Sequence, residues 1–161
     1  MLPLEGLTVV TLEHAIAGPF ATRQLADLGA RVIKVERPGS GDFARGYDHR
    51  VRGLASHFVW TNRSKESITL DVKHPDGAAA LRRLVLEKAD VVVQNLAPGA
   101  AARLGLGYEE LAAQKPGIIV CDISVARDAA VDQPGMLLSK RFGPEAQARG
   151  RPRGEVLHED V

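Results

Sequence analysis

Two short β-branched runs with one amphipathic stretch between them constrain this chain more than any other feature. Leu7–Leu12 (LTVVTL) is bounded by Gly6 and by the polar pair Glu13–His14, and Val32–Val35 (VIKV) runs into Glu36. Between them Phe20, Ala21, Leu25 and Leu28 recur at helical spacing, and Pro19 suits the first turn of a helix. Strand, helix and strand this close together form a βαβ unit, and such a unit makes the two strands parallel neighbours. Runs without polar alternation fit strands covered on both faces.

The same alternation continues. Ser67–Val72 (SITLDV) is read as a third strand, and Pro75-Asp76-Gly77 opens a helix through Ala89 with Ala80, Leu81, Leu84, Val85 and Ala89 on its apolar face. Val91–Val93 is a fourth strand, followed by short helices near Ala100–Leu104 and Tyr108–Gln114 and a fifth strand at Ile118–Cys121. The fold class expected is α/β: a Rossmann-like parallel sheet with flanking helices and an irregular C-terminal tail. Phe43–Lys65, with Arg45, His49, Arg50, Arg52, Arg63 and Lys65, is read as a basic excursion from the sheet. From Val125 neither period persists, and Pro134, Gly135, Gly143, Pro144, Gly150, Pro152 and Gly154 interrupt the chain. Residues 1–124 are therefore read as one α/β unit and 125–161 as a divergent, flexible tail.

Charge and composition narrow the function. Twenty-one Lys and Arg offset 20 Asp and Glu among 161 residues, a formal charge of +1, and aromatic residues are 4%. A nucleic-acid or anionic-membrane binder needs a basic excess, and a base-stacking surface needs aromatics. The lone Cys121, read as a buried core thiol, rules out an internal disulfide framework or a cysteine-rich metal cluster, so no metal site is assigned. No apolar run approaches the roughly 20 residues of a membrane helix, and no leader is recognisable in MLPLEGLTVV. A soluble chain of a reducing, cytoplasmic compartment is expected.

Open parallel sheets bind ligands at the carboxyl ends of their strands. The loops at those ends hold Arg37, Lys73 and Asn95, with Arg103 one helical turn further on. Cations beside helix starts suit a phosphate-bearing ligand, whereas the bland alternative is a set of solvated surface charges. A dinucleotide site is disfavoured, because AGPFATRQ after the first strand lacks the glycines of GxGxxG, and no P-loop pattern occurs.

Three strings in order, PLEGLTVVTLEHAIAGPFATRQLADLGARVIKVERPGSGD, NRSKESITLDVKHPDG and ADVVVQNLAPGAAARLGLGYEEL, carry a match that runs from about residue 3 to residue 124. Their combination resembles the family III CoA-transferases, which include formyl-CoA and carnitine-CoA transferases and to which the α-methylacyl-CoA racemases are related. The resemblance implies a coenzyme A or acyl-CoA ligand, no permanently bound cofactor, and CoA transfer to a carboxylic acid. Carried over residue by residue, it places Ile16 and Ala17 on the CoA site and Arg37 at the CoA nucleotide. It likewise brings Leu70, Asp71, Val72 and Lys73 to CoA, Lys73 on phosphate. Asn95, Leu96 and Ala97 match the loop of the family's N-F-x-PG signature, with Leu96 and Ala97 departing from its usual residues, and Arg103 matches the arginine of the next helix.

In the resembling transferases an aspartate carboxylate attacks the thioester and passes through mixed-anhydride and enzyme–CoA thioester intermediates. That aspartate belongs to a segment past the fifth strand, where this chain reads VARDAAVDQPGMLL and does not match. Asp122, Asp128 and Asp132 are read as structural or solvated, His14 as packing or capping, and His158 as no substitute for a racemase histidine; no catalytic residue is assigned. Family chains are longer and form interlocked dimers, so an incomplete sheet is expected to self-associate or form a homodimer. Three readings stay open: a truncated or divergent transferase, with a racemase-like variant; a silent CoA-binding module; and a remnant whose tail is out of frame.

Overall fold

Hydrophobic pairing of the first two strands sets the frame. The computed structural model describes residues 1–126 and 135–141, of which 124–126 and 135–141 are described as backbone only. The strands are β1 (Thr8–Leu12), β2 (Arg31–Glu36), β3 (Glu66–Thr69), β4 (Val91–Gln94), β5 (Ile119–Ala126) and β6 (Gly135–Arg141). The helices are α1 (Ala17–Asp27), α2 (Ser56–Asn62), α3 (Pro75–Lys88), α4 (Ala100–Arg103) and α5 (Tyr108–Gln114), with a 3-10 turn at Phe43–Gly46. The sheet order is β3-β2-β1-β4-β5-β6. The first five strands are parallel, as the βαβ reading requires, and β6 runs antiparallel to β5.

Successive strand residues face opposite sides of a sheet, and the apolar residues divide accordingly. Val10, Leu12, Val35, Val92 and Val120 pack with Leu81 and Val85 of α3, Leu111 of α5, and Leu106 and Ile118. Val9, Val32, Val93 and Ile123 take the other side with Ala26 of α1 and Ala30. Covering both faces is what makes the strands continuously apolar rather than alternating. Cys121, expected in the core, is half-buried.

Helix α3 starts where the sequence places it. Pro75 occupies the first turn, and the His74 side chain accepts from the Asp76 N–H at 3.3 Å. Strand β3 is shorter than the expected Ser67–Val72: its ladder ends at Thr69, and Leu70 makes only a single further backbone bond, its N–H donating to Glu36 O at 2.9 Å. The basic excursion contains α2, which periodicity over seven residues cannot reveal. Its start is capped from afar, because Asp48 accepts from Ser56 N at 2.9 Å and from Ser56 Oγ at 2.5 Å. At the other end, organised structure was expected to stop near residue 124, yet β5 continues to Ala126 and β6 pairs along it from Gly135↔Ala126 to Arg141↔Val120. GMLLSKR carries no clean period, so the open edge of β5, not the local pattern, makes it a strand. Asp128, Asp132 and His158 lie outside the described residues. No described helix is long and apolar enough to cross a membrane.

Gly77, in the first turn of α3, has a packing reason. A Cβ there would lie 2.0 Å from the carbonyl oxygen of Asp71 and 2.7 Å from its carbon, whereas a Cβ at Gly46 would meet nothing within 4 Å. Gly77→Ala is expected to destabilise the fold by about 1–3 kcal/mol and Gly46→Ala by less than about 0.5 kcal/mol, read as shifts in urea midpoint. Equal midpoints for the two variants would remove this account of Gly77.

Candidate functional site

A pocket of about 260 Å³ opens at the carboxyl ends of β1 and β2, between Leu12, Glu13 and His14, Val35, Glu36 and Arg37, the Gly41–Phe43 turn, and Leu70, Val72 and Leu96. The site follows from the topology, since each strand delivers its next residues to the same edge of the sheet.

The floor is a neutral cluster of four buried charges. Lys34 sits in the middle of the apolar strand β2, and its side chain is 1% exposed. Its Nζ donates to Asp42 Oδ2 at 2.6 Å and to Asn62 Oδ1 at 2.9 Å, and lies 4.0 Å from Glu13 Oε1. Lys65, 2% exposed, donates to Glu13 at 2.7 Å, to Pro19 O at 2.8 Å and to the same Asn62 oxygen at 3.1 Å. Thr22 adds its hydroxyl to Glu13 at 2.7 Å. Burial pulls the Lys65 pKa below the usual lysine range, against the opposing pull of Glu13. Buried charges persist only when partnered in this way. A lysine inside VIKV was the sequence signal for this cluster, since a charge within a buried run must find a counter-ion.

Glu36 is the most saturated group at the rim. Burial works against its ionisation, but Arg45 binds it bidentately at 2.8 and 2.7 Å, Ser67 Oγ donates at 2.6 Å and the Asp42 N–H at 2.8 Å. Together these hold its pKa at about 2 rather than 4.5. Arg45 also lies 3.8 Å over the Phe58 ring. With its oxygens so occupied, Glu36 is not the free acid at the end of a second strand that grips a ribose in dinucleotide folds.

The residues singled out from sequence divide. Arg37, Leu70, Val72 and Leu96 line the pocket, and the exposed Arg37 braces the turn by donating Nε to Gly41 O at 2.8 Å. Ile16, immediately before α1, and Ala17, its first residue, are exposed and do not line it. Asp71 accepts from Lys73 N–H at 3.0 Å in the turn before α3, and both residues are exposed and do not line the pocket. Ala97 and Arg103 are exposed on the α4 side. Asn95 is half-buried and turned inward: its Oδ1 accepts from the His14 N–H and its Nδ2 donates to the His14 carbonyl, both at 2.9 Å. The lining residues Glu13, Glu36, Asp42 and Phe43 were absent from the sequence selection, and His14, which also lines the pocket, was read there as packing or capping. Asp122, half-buried on β5, accepts from Gln94 Nε2 at 2.7 Å.

Residues 4–128 match CoA-transferase family III. The chain belongs to that family. Among curated relatives of this CoA-transferase family protein, mouse (Mus musculus) succinyl-CoA:glutarate CoA-transferase is 44% identical over 125 residues, covering 77% of this chain and 28% of that protein. Acetyl-CoA:oxalate CoA-transferase of Acetobacter aceti is 45% identical over 122 residues, covering 76% of this chain and 31% of that protein. The family member described here thus spans less than a third of the length of these relatives. Among solved structures it is similar to a CAIB/BAIF family protein from Brucella suis, with TM-score 0.68 and 44% identity over 75% of this chain and 33% of the other.

The Glu36 ionisation sets an acid limit. Its folded pKa of about 2 lies below 4.5, so its contribution is complete above pH 4.5 and is lost as pH falls from 4.5 towards 2. Asp48, held at about 2 by Ser56 and the Arg50 N–H, adds to the same window. Urea midpoints of the parent chain should therefore fall steeply across that window, and those of Glu36→Gln, lower at neutral pH, should fall less steeply. Parallel curves would show that Glu36 is not a source of the acid sensitivity.

Proposed function

We propose that this chain is the coenzyme A-binding part of a CoA-transferase, which holds a CoA thioester for transfer of CoA to a carboxylic acid. One observation carries the reading: Arg37, Leu70, Val72 and Leu96, selected from sequence, fall on one pocket at the strand ends, and the exposed Lys73 follows Val72 in the chain. An arginine and a lysine beside an apolar cleft suit a ligand with phosphates at one end and an apolar arm. At about 260 Å³ the pocket is smaller than the roughly 300–1,000 Å³ of a site enclosing a whole drug-sized ligand, so it takes one section of an extended thioester.

The names of the mouse and Acetobacter enzymes pair a CoA thioester with a dicarboxylate, which supports a small carboxylic acid as the acceptor class. Of the carboxylates named here, Glu13, Glu36, Asp42 and Asp122 are already engaged by protein partners, so no nucleophile is assigned in the described residues. Binding is the activity assigned to residues 1–124, and CoA transfer is assigned to the family. Association into a homodimer and a cytoplasmic location complete the proposal.

Isothermal titration of the whole chain with coenzyme A tests it. Arg37→Ala and Lys73→Ala should each weaken binding by about tenfold, as expected for loss of a charge-assisted hydrogen bond to phosphate, with a further loss at high salt. A folded chain that gives no binding, or variants that bind like the parent, would overturn the site.

A further inference from the structure

The polar groups around the pocket are unequally occupied. Glu13 is bonded by Thr22 and Lys65, Glu36 by Arg45, Ser67 and the Asp42 N–H, and Asp42 by Lys34 and the Ala15 and Ala44 N–H groups. His14 is different. Its backbone is gripped on both sides by Asn95, yet its ring nitrogens have no hydrogen-bond partner among the described residues. The ring is half-buried on the pocket wall, 4.9 Å from the Phe43 ring and tilted 55° to it.

The backbone that presents this ring is strained and tied down. Ala15 has φ of +64°, a left-handed conformation that a residue with a Cβ avoids unless its surroundings impose it. Here they do: the Ala15 N–H donates to Asp42 Oδ1 at 3.1 Å, and Asp42 is itself anchored on Lys34 at 2.6 Å. Asn95 closes the other side, so the turn is held by a side chain from the β2–β3 connection and one from the end of β4. Strain with this much support, placed beside an imidazole that has no partner, is the arrangement of a binding group held ready for its ligand.

We propose that Asn95 and Asp42 are positioning residues that hold His14 as the group that hydrogen-bonds an uncharged amide or carbonyl of the ligand, a chemistry that rests on the coenzyme A reading above. Asn95 thereby acts through His14 and not by touching the ligand itself. Four charged groups face the imidazole: Asp42, Arg37, Lys34 and Glu13. Burial is the largest influence and lowers the His14 pKa; Asp42 opposes it, Arg37 and Lys34 reinforce it, and Glu13 opposes it. The ring is therefore neutral at pH 7, with one N–H donor and one acceptor, which matches an amide and not a phosphate. The pantetheine arm of coenzyme A carries two such amides, and its thioesters add a carbonyl.

The experiment compares coenzyme A with its nucleotide fragment, 3′-phosphoadenosine 5′-diphosphate, by titration calorimetry on the whole chain, and follows the His14 ring by NMR titration. His14→Ala should weaken coenzyme A by about tenfold while changing the fragment by less than about twofold, and His14→Gln should recover most of the loss. Asn95→Ala should weaken coenzyme A similarly and move the His14 titration up towards that of a free imidazole. If Asn95→Ala does not fold, Asn95→Thr, an uncharged side chain too short to make both bonds to the His14 backbone, should give the same shift in smaller measure. Equal effects of His14→Ala on both ligands, or on neither, would overturn the ligand contact. An unmoved His14 titration in a folded Asn95 variant would overturn the positioning role. A parent chain that binds neither ligand refutes the coenzyme A reading and the contact with it, and the NMR titration still decides the positioning role by itself.

Discussion

The Lys34–Asp42 ion pair is the contact on which the pocket depends. Lys34 comes from the centre of the sheet and Asp42 from the turn that follows β2, and both side chains are out of water. Asp42 spends one oxygen on the lysine and the other on the N–H groups of Ala15 and Ala44. One carboxylate therefore fixes the turn after β1 and the turn after β2 at once, and these are facing walls of the site. Removing one partner of such a pair leaves an uncompensated buried charge, a loss of about 3–5 kcal/mol and a large part of a domain's net stability.

The second lysine turns the pair into a network. Asn62 Oδ1 accepts from Lys34 and Lys65, and Lys65 carries the link to Glu13 and to the carbonyl of Pro19 at the start of α1. Helix α2, which supplies Asn62 and the Phe58 ring under Lys34 and Arg45, is thereby part of the foundation of the site. What reads in sequence as a basic excursion is the piece that supplies Asn62 and Lys65 to the charge cluster. Of its cations, Lys65 is turned inward to Glu13, Arg45 is paired with Glu36 and Arg63 with Asp27.

Much of the fold was legible because it is local. LTVVTL, VIKV and VVV are too apolar to be anything but covered strands, and the helices between them carry their apolar residues at helical spacing; from that, five parallel strands and their order of appearance follow. The elements that were not legible have distant causes. Helix α2 is capped by Asp48 across the loop, and β6 exists by pairing with the edge of β5. The site was half legible for the same reason. Strand ends are visible in sequence, so Arg37, Leu70, Val72 and Leu96 could be selected, but the partners of a side chain are not, so the bonds from Asn95 to the backbone of His14 could not be read.

Sequence alone determined the α/β class, the parallel strands and the family, because hydrophobic period and ordered motifs are properties of neighbouring residues. Only the tertiary structure decided which charges are buried together, which carboxylates at the rim are already occupied, and that the imidazole on the pocket wall has no hydrogen-bond partner among the described residues. Those outcomes depend on groups far apart in the chain: 81 residues separate His14 from Asn95, 52 separate Glu13 from Lys65, and 27 separate Ala15 from Asp42. Electrostatic and hydrogen-bond partnerships over such separations are set by the packing of the sheet, which no local pattern encodes.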